Sequence, residues 1–139
     1  MNDIEVLMDS DAFVGLLLQR DAHHARSVII FDRLKEHNVQ IATTSFVVAE
    51  TATVLSHASG QALARTFLHE VIEKAHFPVI FIDEPLYNET TAIFCSLQKR
   101  ATSMTDCANV AVLRHFGIPQ IFSFDKVYRN TFDIAMVQA

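Results

Sequence analysis

Short apolar segments rich in Ile, Val and Phe recur along the chain, and longer stretches with helical spacing of apolar residues separate them. The apolar segments are too far apart for hairpins, so the pattern predicts parallel strands joined by helices. The predicted strands are residues 4–8, 39–43, 78–82 and 119–124, with a weaker one at 134–137. The predicted helices are residues 10–18, 23–37, 45–58, 61–75, 85–99 and 105–116. The expected fold is α/β, a three-layer α/β/α sandwich with a mostly parallel sheet of four to five strands in one domain, residues 1–139.

Glycine and proline support these boundaries. Gly60 ends one helical pattern, and Gly117 ends another as a C-terminal cap. Pro78 and Pro119 each stand at the first position of a predicted strand, where the missing N–H is tolerated. Strands and helices therefore alternate along almost the whole chain.

Composition narrows the class of protein. Half of the 139 residues are hydrophobic, and 16 acidic against 11 basic residues give a net charge of −5, which provides no broad cationic surface for nucleic acid. No apolar stretch is long enough to span a bilayer, and the first residues lack the basic start of a secretory signal. We expect a cytoplasmic protein with no membrane partner.

Cysteine and glycine usage excludes several kinds of site. Cys95 and Cys107 form no CxxC pair, which argues against a zinc knuckle or a disulfide framework, and both are predicted to be small buried hydrophobes. The seven histidines show no HExxH spacing, so we predict no histidine metal site. With three glycines and neither a GxGxxG motif nor a P-loop, the chain is not predicted to bind nucleotides in those ways.

Acidic residues follow the first and the last clear strand. Asp9 comes directly after the first apolar segment and Asp125 directly after the last, each at the start of a predicted helix. Open α/β sheets bind ligands at the carboxyl ends of their strands. If the two strands are neighbours, both acids lie at the same edge of the sheet.

Two more acids lie within apolar helical segments. Glu50 shares a helix face with Phe46, Val47 and Val54, which places it on the inward stripe, and no Arg or Lys lies within a helical turn of it. An ionised carboxylate buried there without a partner would cost several kcal/mol. Asp106 is spaced in the same way from Val110 and Leu113, so it is also predicted on the buried side.

Each acid alone has a purely structural explanation. Asp9, Asp11 and Asp125 are good helix N-caps, and Ser103-x-x-Asp106 resembles a capping box. Four carboxylates at one crevice would nevertheless repel one another unless a cation lay between them. Ligands that are all oxygen favour a hard ion, Mg²⁺ or Mn²⁺, over zinc.

Four segments in order, "LMDSDAFVGLL", "FVVAETATVL", "TDCANVAVL" and "FSFDKVY", resemble the PIN-domain nucleases, and among them the VapC-like ribonuclease toxins. The resemblance extends from about residue 4 to residue 132. Asp9 and Ser10 match the family's first acid and the hydroxyl after it, Glu50 the helical Glu, and Asp106 the acid of a "TDA"-like segment in which Cys107 replaces the commoner Ala. Asp125, preceded by Ser123, matches the more variable fourth acid.

This resemblance implies a PIN-like fold and a metal-dependent endoribonuclease. Asp9, Glu50, Asp106 and Asp125 would be the catalytic and metal-binding residues, with Mg²⁺ or Mn²⁺ as cofactor. A water molecule would attack the scissile phosphate of RNA in line and leave 5′-phosphate and 3′-hydroxyl ends. The implied partners are RNA, a second copy of the chain in a homodimer, and a cognate antitoxin protein.

Residues around the four acids have supporting roles in this hypothesis. Ser10, Thr105 and Ser123 are candidate substrate-binding hydroxyls, although Thr105 and Ser123 are as readily helix caps. Asp11, where the family often has a neutral residue, is either a cap, a support for the ligands, or a ligand of a second metal. Five cations flank the third and fourth segments and are candidates for binding phosphates at the rim of the crevice: Lys99, Arg100, Arg114, Lys126 and Arg129.

Three other interpretations remain open. A haloacid-dehalogenase-like phosphatase would use Asp9 as nucleophile and Asp11 as acid/base, but it needs a later lysine motif and an acidic pair, and it gives Glu50 no role. A phosphoacceptor receiver domain would use Asp83 and would ignore Glu50 and Asp106. A catalytically inactive PIN scaffold would bind RNA or protein through the same surface.

Overall fold

The computed structural model describes residues 3–98 and 101–138. Its strands are β1 (Val6–Met8), β2 (Ile41–Thr44), β3 (Val79–Ile80), β4 (Gln120–Phe122) and β5 (Ala135–Met136). Its helices are α1 (Ser10–Leu17), α2 (His24–Glu36), α3 (Ser45–Ser59), α4 (Gln61–Thr66), α5 (Glu84–Ser96), α6 (Met104–Phe116) and α7 (Val127–Phe132). A π-helical segment, Phe67–Lys74, directly continues α4.

The five strands form one parallel sheet in the order β3-β2-β1-β4-β5. On one side of β1, Val6 pairs with Ile41 of β2, and on the other side it pairs with Gln120 of β4. β1 is therefore the central strand. The sheet and its flanking helices confirm the predicted α/β class and the parallel arrangement.

Apolar residues alternate between the two faces of the sheet because successive side chains of a strand point in opposite directions. Val6 and Met8 pack into a cluster with α1 to α4, and Leu7 packs into a second cluster with α5, α6 and Tyr128 of α7. The helices thus form a layer on each face. This is the predicted three-layer sandwich.

The strand order reverses beside β1. The chain moves outward from β1 through β2 to β3, and then returns to place β4 on the opposite side of β1. Such a reversal opens a crevice at the carboxyl ends of the two strands that flank it. The residues that follow β1 and β4, which begin at Asp9 and Ser123, lie at this crevice.

Several local predictions are wrong. α7 was not predicted, because its six residues mix Val, Tyr and Phe with polar side chains and show no clear apolar stripe. The strands are shorter than predicted, and β3 contains two residues instead of five. α5 ends at Ser96 instead of residue 99. Cys107 is buried as predicted, but Cys95 is exposed.

Helices α1 and α2 approach closely at a glycine. A Cβ added to Gly15 would lie 2.6 Å from the Oγ of Ser27, and that hydroxyl donates to the Ala12 carbonyl oxygen at 3.1 Å. The contact fixes α1, and with it Asp9 and Asp11, against α2. Within residues 3–98 and 101–138, none of the helices has both the length and the apolar character needed to span a membrane.

Candidate metal-dependent active site

Asp9 is the centre of a buried hydrogen-bond network. It follows β1, serves as N-cap of α1, and is 4% exposed. Its Oδ1 accepts from the Ser10 N–H at 2.8 Å and from the Asn109 amide at 3.0 Å. Its Oδ2 accepts from the Ser123 hydroxyl at 3.0 Å and from the Tyr128 hydroxyl at 2.9 Å. The side chain is held in one orientation by residues of α1, α6, α7 and the segment after β4.

Asp106 joins the same network through Tyr128. The Tyr128 hydroxyl lies 3.0 Å from Asp106 Oδ1 and also contacts Asp9, so one phenol bridges the two carboxyls. Asp106 Oδ2 accepts from the Ser103 N–H at 3.0 Å, and the Ser103 hydroxyl accepts from the Asp106 N–H, which completes a capping box. The structural and the functional interpretations of Asp106 are therefore compatible, since one carboxylate oxygen caps the helix and the other faces Asp9.

Glu50 reaches the site through Ser10. The Ser10 hydroxyl donates to Glu50 Oε2, and Ser10 directly follows Asp9. Glu50 is half-buried, and Val54, one turn later on its helix, is 39% exposed. The predicted inward stripe of α3 thus opens toward the crevice at Glu50 instead of entering the core. Because Glu50 is only half-buried, it does not bear the desolvation cost of a fully buried carboxylate.

Asp125 and Asp11 converge on Ser123. The Ser123 hydroxyl lies 3.1 Å from Asp11 Oδ2 and accepts from the Asp125 N–H at 3.1 Å. Asp11 Oδ2 also accepts from the Phe124 N–H at 2.9 Å, and Asp11 Oδ1 is buried without a hydrogen bond. Asp125 is exposed, and its Oδ1 accepts from the Val127 N–H at 3.0 Å at the start of α7. Asp11 fixes the segment after β4, whereas Asp125 turns the chain into α7.

We refer to Asp9, Asp11, Glu50, Asp106 and Asp125 as the carboxylate cluster. Burial, followed by the charges of Asp11 and Asp106, raises the pKa of Asp9 from its ordinary value of 3.8 to about 7. Burial also raises the pKa of Asp11 and of Asp106, and the charge of Asp125 adds to both shifts. The charges of Asp11 and Asp106 therefore make Asp9 harder to deprotonate.

Tyr128 lies between two of these carboxyls, Asp9 and Asp106. The phenol oxygen accepts from the Asn109 amide at 2.9 Å and lies within 3.0 Å of one oxygen of Asp9 and one of Asp106. A phenol has one proton, so it donates to only one of these carboxyls. The other contact is a hydrogen bond only if that carboxyl itself is protonated. This arrangement favours a proton on one of the two carboxyls, the same direction as the raised pKa of Asp9 and of Asp106.

The donor set fits a hard divalent ion. In residues 3–98 and 101–138, the only ion pairs lie in the π-helical segment, so no Lys or Arg forms an ion pair with the carboxylate cluster there. No three Asp, Glu, His or Cys side chains of those ranges form a ready-made ligand set by themselves. Mg²⁺ requires no such set, because it ordinarily takes one or two carboxylates and keeps several waters. A divalent ion would supply the positive charge that the cluster lacks.

The remaining predicted residues differ in their distance from the crevice. Thr105 is buried in the first turn of α6, where Ser103 and not Thr105 is the cap. Lys126 is exposed just before α7, beside Asp125. Arg114 lies eight residues after Asp106 on the same helix, about 12 Å along its axis, so its assignment to the rim of the crevice is wrong. Lys99 and Arg100 lie outside the described residues.

Sequence reasoning missed Asn109 and Tyr128. Asn109 lies at i+3 from Asp106, hence on the same face of α6, and an amide within the apolar segment "CANVAVL" was an available signal. Tyr128 gave no such signal, because its position depends on α7, which was not predicted.

A model of the PIN domain family matches residues 6–132 of the chain. No curated protein matches it in sequence. Among solved structures, the VapC20 toxin of Mycobacterium tuberculosis, described as cleaving the sarcin–ricin loop, has a TM-score of 0.84 at 20% identity, over 96% of this chain and 99% of the toxin. FitAcB from Neisseria gonorrhoeae has a TM-score of 0.70 at 14% identity, over 96% of both chains. VapBC2 from Rickettsia felis, bound to a DNA fragment from its promoter, has a TM-score of 0.67 at 11% identity, over 95% of this chain and 96% of the other. These likenesses show a shared fold.

Proposed function

The chain belongs to the PIN-domain family, and from this premise we propose that it is a Mg²⁺- or Mn²⁺-dependent endoribonuclease. One observation supports the proposal most directly: Tyr128 bridges Asp9 and Asp106, and Ser10 connects the same region to Glu50. Acids that are distant in sequence thus meet at the crevice beside β1, with no Lys or Arg among the described residues in an ion pair with them. Such a cluster has a physical reason to bind a divalent cation.

Asp9, Glu50, Asp106 and Asp125 would hold the ion, either directly or through its water shell. When bound, a divalent ion lowers the pKa of water and stabilises the charge that develops on a scissile phosphate. Asp9 is a preorganised ligand, since four hydrogen bonds fix both of its oxygens. Water attacks the RNA phosphate in line, and the products have 5′-phosphate and 3′-hydroxyl ends.

The surrounding residues position these groups. Ser10 orients the Glu50 carboxylate, and Ser123 holds Asp9 while it accepts from the Asp125 N–H. Asp11 holds the segment after β4 through the Phe124 N–H, and this places Ser123 beside Asp9. The phosphatase alternative would need Asp11 as a free acid/base at the reaction centre, and the PIN-family match does not favour it.

We further propose that the nuclease is the toxin of a toxin–antitoxin module and acts in the cytoplasm as a homodimer with a cognate antitoxin. The support is the fold shared with VapC20, which is described as a toxin, and with FitAcB and VapBC2. Expression of the chain alone, followed by co-expression with a neighbouring small open reading frame, tests this part of the proposal.

Cleavage of RNA by the purified protein tests the nuclease proposal itself. We expect cleavage of structured RNAs in Mn²⁺, no cleavage in EDTA, and recovery when Mn²⁺ is added in excess. Mapping of the cut sites and end chemistry should give 5′-phosphate products. RNA binding with no Mn²⁺-dependent cleavage of any RNA would favour the inactive scaffold instead.

Tyr128→Phe is expected to weaken Mn²⁺ binding by about 10- to 100-fold, the usual cost of removing a group that orients metal ligands. The substitution keeps the buried ring but removes the hydroxyl that contacts Asp9, Asp106 and Asn109. Isothermal titration calorimetry measures the affinity, and a Mn²⁺ titration of cleavage should show its midpoint shifted upward by a similar factor.

Tyr87→Phe is the matched control, because Tyr87 is 46% exposed on α5. It should leave the Mn²⁺ midpoint unchanged. A Tyr128→Phe protein that loses activity at all Mn²⁺ concentrations with an unshifted midpoint would show that the hydroxyl does not act through the metal ligands.

A further inference from the structure

Three cations meet at a small cavity beside the carboxylate cluster. The cavity has a volume of about 120 Å³, and its lining includes Arg26, Lys126, Arg129, Ser123 and Phe124. We call it the cationic cavity. Its cations come from α2, from α7 and from the residue before α7, so the fold and not a run of basic sequence brings them together.

The cationic cavity adjoins the proposed active site through one residue. Ser123 lines the cavity, and the same hydroxyl lies 3.0 Å from Asp9 Oδ2 and 3.1 Å from Asp11 Oδ2. A group bound in the cavity is therefore one side chain away from the ligands of the proposed metal. The next residue, Phe124, is fixed by its N–H bond to Asp11.

Arg26 is held in place by aromatic contacts. Its guanidinium carbon lies 4.9 Å from the centroid of the Phe124 ring, and the His23 ring stacks on Phe124 at 4.2 Å with an interplanar angle of 8°. The cation–π contact with Phe124 favours one placement of the exposed Arg26 guanidinium before any ligand arrives, which lowers the entropy cost of binding. A guanidinium held in this way presents its N–H donors in a fixed plane suited to phosphate oxygens.

The charges of the cavity are available to a ligand. In residues 3–98 and 101–138, the carboxylates that form ion pairs lie in the π-helical segment, far along the chain from Arg26, Lys126 and Arg129. The whole chain has a net charge of −5. Three cations at one place, with no ion pair to a carboxylate of the described residues, favour an anionic ligand at that place.

We infer that the cationic cavity binds a phosphodiester group of the RNA strand next to the one that is cleaved. The inference rests on the proposed nuclease function and identifies how an acidic chain holds its substrate. Arg26 and Arg129 bind the phosphate, Lys126 adds charge at the edge nearest Asp125, and the carboxylate cluster receives the neighbouring phosphate with its metal.

The test is RNA binding in EDTA, where no cleavage occurs. Fluorescence anisotropy with a short single-stranded RNA of mixed sequence gives the Kd at several salt concentrations for the full chain and for Arg26→Gln/Arg129→Gln. Loss of one neutralised phosphate of a single strand should lower the slope of log Kd against log salt by about 0.7. Arg26 and Arg129 bind the same phosphate, so the double variant should lower the slope by about 0.7 and bind RNA about tenfold more weakly or worse.

The control is Arg65→Gln/Arg114→Gln, which makes the same change in net charge. Arg114 lies 5.8 Å from the ring centroid of Phe132, so its substitution also removes a cation–π interaction, and Arg65 lines a different cavity beside α3 and α4. The control should keep the slope of the unmodified chain. Equal slopes for Arg26→Gln/Arg129→Gln and the unmodified chain, or no RNA binding by the unmodified chain at low salt, would overturn the inference.

Failure of the nuclease proposal gives a different result. If Arg26→Gln/Arg129→Gln shows the expected decrease in slope but the unmodified chain shows no Mn²⁺-dependent cleavage, the phosphate site is supported and the nuclease proposal is contradicted. If the unmodified chain shows Mn²⁺-dependent cleavage and Arg26→Gln/Arg129→Gln shows an unchanged slope, the nuclease proposal is supported and the phosphate site is contradicted.

Discussion

Asp9→Asn should reduce Mn²⁺-dependent RNA cleavage by about 10³-fold, the loss that corresponds to several kcal/mol of transition-state stabilisation by a correctly held metal. An amide has nearly the size of a carboxylate but has no negative charge and is a poor ligand for a hard cation. Asp9 is the residue on which the rest of the network converges, so no other carboxylate of the cluster can take its place. Initial rates on a single RNA substrate measure the effect.

The variant should fold, because its neighbours can reverse their hydrogen bonds. Asp9 Oδ2 accepts from two hydroxyls, those of Ser123 and Tyr128. Hydroxyls both donate and accept, so an amide nitrogen in place of Oδ2 can donate to both. The amide oxygen in place of Oδ1 still accepts from the Ser10 N–H and from Asn109.

Asp32→Asn is the control for Asp9→Asn, since Asp32 lies on α2 and outside the crevice. It should cleave RNA at the rate of the unmodified chain. Full metal-dependent cleavage by Asp9→Asn would remove Asp9 from the active site and, with it, the proposed metal centre.

The layer structure of the fold was predictable because it depends on long patterns. The five strand regions and six of the helical regions follow from apolar periodicity and from capping glycines and prolines. Such a pattern extends over many residues, so a few exceptions within it do not change the prediction. α7 was missed because six residues contain too few apolar positions for a period to show, and its stability comes from the packing of Tyr128 into the core cluster that includes β4 and β5 residues. Short elements of this kind are set by tertiary packing.

The candidate site was predictable in part for the same reason. Asp9, Glu50, Asp106 and Asp125 are conspicuous because each interrupts or follows an apolar segment, and the parallel pairing of β1 with β4 brings two of them to one edge. The neutral residues that orient them were not conspicuous. Asn109 was missed although it lies in an apolar segment, and Ser123 was predicted as a substrate-binding hydroxyl, whereas the structure shows both side chains in contact with Asp9.

Helix capping and metal binding are compatible uses of the same acids. Asp9 and Asp106 are both at helix N-termini, and each uses part of its hydrogen-bonding capacity on backbone N–H groups. A carboxylate has about four lone-pair sites, so the capping bond of Asp106 leaves room for a cation or its water. At Asp9 four hydrogen-bond contacts occupy these sites, and a cation could take one when the Ser123 hydroxyl turns to Asp11 or the Tyr128 hydroxyl turns to Asp106. Helix capping is therefore compatible with the proposed metal site, and the capping bonds hold Asp9 and Asp106 in fixed positions.

In EDTA, the free energy of unfolding of the unmodified chain should fall as the pH rises from about 4 to about 7, and Asp9→Asn should remove most of this fall. Asp9 has a pKa of about 7 in the folded protein against an ordinary value of 3.8. Between these values the folded state holds a proton that the unfolded state has lost, so stability decreases with pH in this window. Each unit of pKa difference corresponds to about 1.4 kcal/mol, so the expected loss is of the order of 3 kcal/mol.

Urea denaturation at pH 5 and pH 8 measures this difference. At pH 8 in EDTA, Asp9→Asn should be the more stable protein, whereas Asp32→Asn should match the unmodified chain at both pH values. Added Mn²⁺ should reverse the order at pH 8, because an ion that binds only the folded state stabilises it and needs the Asp9 carboxylate to bind. If Asp9→Asn is less stable than the unmodified chain in EDTA at pH 8, the hydrogen bonds of the Asp9 carboxylate contribute more to the free energy of unfolding than its charge does. The repulsion among the carboxyls would then be too weak to support the proposed metal site.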